Sequence, residues 1–115
     1  MIKRHALRFM YAFKGIYFAL CTDFSYQWQF YAGGIVVTAI GFLFWPLTQT
    51  ELLFLGLAWA LILITELQNT SFESALDHLH PELHDKIGRS KDMAAGAVLT
   101  AGFFLVFVVA VIALT

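Results

Sequence analysis

The sequence predicts an all-α membrane protein: an N-terminal amphipathic helix lying at the membrane surface, then three helices that cross it. Three observations carry this prediction. Hydrophobic residues make up 60% of the 115 residues and charged residues only 13%, against about 45–50% and about 25% in soluble domains. Three apolar runs, residues 30–45, 52–65 and 93–114, are separated by short polar or turn-forming segments. Every Lys and Arg lies within residues 3–14 or residues 86–91, so positive charge is confined to two places that flank apolar sequence. One domain is expected over residues 1–115, with the amphipathic helix at 1–22 and membrane helices at about 28–46, 51–77 and 92–115.

Residues 1–22 are basic and aromatic. Leu7, Met10, Tyr11, Lys14 and Phe18 share one helical face, which suits a helix lying in the interface with its lysine stem along the apolar surface. No short apolar run ends at a small-residue cleavage site, so a removable signal peptide is not expected. Cys21 is the single cysteine, which excludes a disulfide within one chain. Thr22-Asp23 breaks the pattern and is placed to cap the next helix.

The first apolar run spans about 24 Å as a helix, short for a core of about 30 Å. Tyr26, Trp28 and Tyr31 at one end and Trp45 at the other form an aromatic belt. Residues 46–50 are an uncharged turn, started by Pro46 and closed by Thr50-Glu51. The second run must continue as helix through Glu66. The third extends about 33 Å and opens with Ala94-Ala95-Gly96-Ala97, small enough for close helix approach. So few helices offer little interior, and self-association is expected. The positive-inside rule places the N-terminal helix and the segment 77–92 in the cytoplasm, and the short turn and the C-terminus outside.

Residues 66–92 hold six of the eight acidic residues and three of the seven basic ones. On a helix, Glu66, Asn69, Glu73 and Asp77 fall within an arc of about 80°. Three carboxylates on one stripe repel each other unless something cationic neutralises them, and ionisable groups this near a bilayer point to function. The bland alternative is a helix end emerging into water, paired to Lys86, Arg89 or Lys91. It explains Asp77 but not Glu66, which directly follows Leu61-Ile62-Leu63-Ile64-Thr65. His78, His80 and His84 raise a zinc site, but Pro81 interrupts the pair at 80 and 84, and neither HExxH nor paired CxxC is present, so a hydrated loop is the expected reading. No GxxxxGK[ST] phosphate loop occurs. Lys91, held by Asp92, would suit a phosphate.

The motifs Glu-x-x-Asn-Thr-x-x-Glu-x-x-x-Asp (Glu66, Asn69, Thr70, Glu73, Asp77), Pro-Glu-x-His (Pro81, Glu82, His84) and Lys-Asp-Met-Ala-Ala-Gly-Ala-Val-Leu (residues 91–99) resemble those of the small prokaryotic integral-membrane lipid kinases, the diacylglycerol kinase and undecaprenol kinase family. Ala-Phe-Lys-Gly-Ile (residues 12–16), followed by an acid at Asp23, is similar to that family's entry segment. The resemblance covers nearly the whole chain. It implies a homotrimer in the bacterial cytoplasmic (inner) membrane with active sites shared between subunits at the cytoplasmic interface. The implied reaction is phosphorylation of a membrane lipid alcohol by ATP with Mg²⁺, and no nucleic-acid partner is expected.

By the same resemblance, Glu66 is the general base, supported by Asn69. Glu73 and Asp23 hold the Mg²⁺. Asp77, Glu82, His84, Lys91 and Asp92 line the nucleotide site, with Arg4 and Tyr11 near the nucleotide. Ala95 stands where diacylglycerol-type members often carry Ser, and with Glu66 it would meet the lipid. Asp23 departs from the family's usual Glu and is one methylene shorter, which favours a contact through water, since Mg²⁺ retains waters readily. The competing class is a non-enzymatic small oligomeric membrane protein that uses the carboxylates as an ion or proton path. Against it, the acids gather at one interface, and nothing ionisable lies between Glu51 and Glu66.

Overall fold

Capping side chains divide the chain into four helices: α1 (Ile2–Thr22), α2 (Phe24–Leu43), α3 (Gln49–Leu79) and α4 (Asp85–Leu114). The computed structural model describes residues 2–82 and 84–115, and among these there is no strand. Met1, included in the expected amphipathic helix, and Leu83, the open position of Pro-Glu-x-His, lie outside the described residues.

Asp23 ends α1 and begins α2. Its backbone is extended (φ −96°, ψ 110°) and its carboxylate accepts from the Tyr26 N–H, the capping role expected of it. The next cap falls earlier than expected, at Thr48 and not at Thr50-Glu51. The Thr48 hydroxyl accepts from the Glu51 N–H at 3.1 Å, and the Glu51 carboxylate accepts from the Thr48 N–H at 3.0 Å. This reciprocal capping box satisfies two otherwise orphaned backbone donors.

The long α3, 31 residues or about 47 Å, is the element on which α2 and α4 pack, while α1 packs on α2. Leu55 and Ala58 of α3 meet Val108 and Ile112 of α4, with Val37, Ile40 and Phe44 of the α2 side packed around them. Ala58 has no exposed surface, and its single methyl lets the two helix backbones approach. On the other side, the Trp59 indole donates to the Gln29 carbonyl at 3.1 Å. It lies against bare backbone: a Cβ on Gly33 would sit 2.9 Å from the indole nitrogen, and one on Gly34 3.2 Å from the ring.

Two helices among the described residues, α3 and α4, are long and apolar enough to cross a membrane. α2 falls short because its first half carries Gln27, Gln29 and two tyrosines beside its apolar residues. Large apolar side chains face outward along the helices, including Phe42, Leu53, Phe103 and Phe107, whereas Glu66 is buried. This inverts the soluble pattern and suits a lipid-facing surface.

The segment from 77 to 92 corrects the expectation of a loop. α3 continues to Leu79, where His80 caps it, and α4 begins at Asp85, so Lys86, Arg89, Lys91 and Asp92 are helical. His84 is the reason: its Nδ1 accepts from the Lys86 N–H at 3.1 Å. Asp85 then places a negative charge in the first turn, where the helix dipole favours it.

Candidate active site

The stripe predicted on α3 forms, and its members differ sharply in environment. Glu66 is 5% exposed, the one charged residue in the buried set among the described residues. It sits deepest along the stripe, where α3 is still packed between its neighbours. Asn69, one turn on, is partly covered; Glu73 and Asp77 are exposed. The gradient follows from the helix running past its packing partners.

Asp23 arrives at this stripe from 43 positions away. Its Oδ2 accepts the Thr70 hydroxyl at 2.7 Å as well as the Tyr26 N–H at 3.3 Å. The carboxylates of Asp23 and Glu73 both lie within electrostatic reach of Glu66. Asp23 thus joins Glu66 and Glu73 in one acidic cluster, a convergence that spacing along the chain could not show.

Asn69 stands between Glu66 and Glu73 on the stripe. It was expected to support Glu66, yet its Nδ2 points at Glu73 Oε1, a long contact of 3.5 Å. Its Oδ1 is buried and has no hydrogen-bond partner. An orphaned buried acceptor beside three carboxylates is an all-oxygen donor set, which fits a hard cation such as Mg²⁺. No three His, Cys, Asp or Glu side chains among the described residues are grouped tightly enough to hold a metal by themselves. A Mg²⁺ there would take one or two carboxylates and complete its shell with water and substrate phosphate.

Lys91 pairs with Asp77 across the α3–α4 junction and not with Asp92 as expected. Neighbouring residues on a helix point about 100° apart, so helical structure at 91–92 rules out the local pair, and the antiparallel turn supplies Asp77 instead. Lys91 remains 35% exposed in the pair, so its amine is held near the stripe without being sequestered.

The remaining candidates divide into three groups. His84 and Asp92 line an open hollow of about 520 Å³ at the start of α4 with Asp85, Gly88 and Arg89. Tyr11 and Asp23 share a groove of about 380 Å³ between α1 and α3, whose floor includes Thr70, Ser71 and Ser74. Glu82 and Ala95 are exposed, and Arg4 is exposed near the start of α1. Nineteen helical positions separate Arg4 from Asp23, about 28 Å along the axis, so one chain does not bring Arg4 to the acidic cluster.

Thr70 is the neighbour of Asp23 that residue-by-residue reasoning passed over, although it stood within the motif. It lies four positions after Glu66 and so about 40° from it around α3. Extending the stripe to uncharged donors would have found it.

Comparison with known proteins follows the same residues. Residues 10–113 match the family model described as prokaryotic diacylglycerol kinase. The chain is 34% identical over 101 residues to a diacylglycerol kinase of Synechocystis sp., an overlap of 87% of this chain and 57% of that relative. The chain thus spans a little over half the length of the curated relative it matches.

Proposed function

The chain belongs to the prokaryotic diacylglycerol kinase family, and we propose that it transfers the γ-phosphoryl group of ATP to the hydroxyl of a membrane lipid alcohol, diacylglycerol or undecaprenol, at the cytoplasmic face of the bacterial inner membrane. The observation that carries this reading is the buried Glu66 carboxylate at the deep end of an acidic stripe, with Asp23 delivered beside it. A carboxylate buried without a compensating partner costs several kcal/mol, a cost a protein retains for chemistry.

In this mechanism Glu66 accepts the proton of the lipid hydroxyl as its oxygen attacks the γ-phosphorus, the bond from that phosphorus to the β,γ-bridging oxygen breaks, and ADP leaves. It lies one helical turn deeper than Asn69 and two deeper than Glu73, where a lipid head group would arrive. Glu73 and Asp23, with the free Asn69 Oδ1 nearby, would hold Mg²⁺, which when bound neutralises charge on the phosphate oxygens. Lys91 swings from Asp77 to the transferred phosphoryl group and takes up charge in the transition state. Until then Asp77 holds the lysine near the stripe. His84, Asp92 and Glu82 border the nucleotide from the start of α4, and Ala95 sits next to the acceptor on the same helix.

Arg4 completes the nucleotide site only if α1 reaches a neighbouring subunit, whereas Tyr11 already shares a groove with Asp23 within one chain. A homotrimer with shared sites supplies that reach, and it would also cover the apolar faces that α2–α4 leave open. In this assembly α1 lies in the interface and α2 joins α3 and α4 in crossing the membrane. Its few polar residues then sit at the aromatic belt.

The test is transfer of labelled γ-phosphate from Mg·ATP in mixed micelles that offer diacylglycerol and undecaprenol side by side. A labelled lipid is the expected product, and the better acceptor identifies the substrate. Absence of both products from folded protein would defeat the reading and return the acidic cluster to the ion-path alternative.

A further inference from the structure

We propose that Thr70 is a positioning residue that fixes the Asp23 carboxylate for the metal of the phosphoryl-transfer site; the proposal rests on the reading above. Threonine hydroxyls inside helices ordinarily bond back to a carbonyl on their own helix. Thr22, Thr38, Thr65, Thr100 and Thr115 all do so here, each to the carbonyl four residues before it. Thr70 does not. Its hydroxyl crosses to another element and donates to Asp23 Oδ2 at 2.7 Å, a short, partly buried bond to a charged acceptor.

The consequence for Asp23 is geometric. Its backbone is committed to the N-cap of α2, and its Oδ2 also accepts from the Tyr26 N–H. With Oδ2 engaged twice, the carboxylate is locked at its χ angles and Oδ1 is the oxygen left for another partner. Thr70 stands on α3 directly after Asn69 and one turn before Glu73. The same bond therefore sets the distance between the start of α2 and the Glu66–Asn69–Glu73 stripe. An aspartate where a longer glutamate would reach further depends more on being held from outside, and Thr70 provides that hold.

The experiment uses the full chain in detergent and reads binding of Mn²⁺, a paramagnetic stand-in for Mg²⁺, by electron paramagnetic resonance in the presence of a non-hydrolysable ATP analogue. Thr70→Val keeps the shape and removes the donor. It is expected to weaken Mn²⁺ binding about tenfold or more, the usual effect of losing a partner that orients a metal ligand. The KM for the lipid should stay unchanged, and Thr70→Ser should restore binding. In an Asp23→Asn background Thr70→Val should add no further loss, because Thr70 acts through that carboxylate. Thr70→Ala, with circular dichroism to confirm helicity, must show the same weakening if the valine variant misfolds.

Wild-type-like Mn²⁺ affinity in folded Thr70→Val, a failed serine rescue, or full additivity with Asp23→Asn would each overturn the proposal and leave the kinase reading standing. Nucleotide-dependent Mn²⁺ binding absent from the wild type itself would bring down both.

Discussion

The two ends of α3 hold acidic residues in opposite states. At its start, Glu51 is spent on structure: its carboxylate accepts from the Thr48 backbone, which is bonded back in turn. Fifteen residues further along, about 22 Å by helical rise, Glu66 is buried beside two other carboxylates, with the Asn69 carbonyl orphaned nearby. Both are glutamates on the same apolar helix. The Glu51 carboxylate is met by nearby backbone and caps a helix, whereas Glu66 is buried among other acids. In the proposed mechanism this difference separates the structural acid from the chemical one.

The sharpest way to break this contrast is to remove each charge in turn. Glu66→Gln is expected to lower lipid phosphorylation by about 10²–10⁴-fold, the range a general base contributes, with helicity and oligomeric state unchanged. Glu51→Gln should leave turnover close to wild type. Equal activity of the two variants would end the distinction between them. Next in size, Glu73→Ala should shift the Mg²⁺ concentration for half-maximal activity upward while the lipid KM holds, and an unmoved Mg²⁺ titration would remove Glu73 from the metal site.

Lys91→Met tests the junction between the two regions. The Lys91–Asp77 pair is largely open to solvent, so its loss should cost no more than about 1 kcal/mol of stability, while turnover falls far more because the phosphoryl charge goes uncompensated. A large drop in thermal stability with turnover preserved would make the pair structural. Gly33→Ala places a methyl against the Trp59 indole. It should destabilise the α2–α3 contact by about 1–3 kcal/mol, read as a lower melting temperature with the Mg²⁺ dependence unaltered. The smallest effect is expected from Thr48→Ala, about 1 kcal/mol from the lost cap, with activity intact.

Much was legible before any coordinates. The helical class, the break at Asp23 and the acidic stripe on α3 follow from hydropathy, local capping chemistry and a period of 3.6, which depend only on residues close in sequence. The family was legible for the same reason: its motifs are local in sequence, one within α3, one within α4 and Pro-Glu-x-His in the connection between them. Where the reading slipped, the cause was a competing local interaction. His84 extended α4 back to Asp85, which turned Lys91 away from Asp92, and Thr48 captured the cap expected at Thr50-Glu51.

What the tertiary structure alone decided is which polar groups meet. Nothing within reach of Asp23 along the chain announces Thr70, 47 positions on. Nor do the α2 glycines announce the Trp59 ring, and of the three cations the charge pattern offered to Asp77, only the packing of α4 on α3 selected Lys91. The sequence by itself determined the elements, because a helix depends on its own backbone hydrogen bonds and apolar face. The packing of α2 and α4 on α3 determined the site, because hydrogen bonds and ion pairs act over a few ångströms of space whatever the separation along the chain.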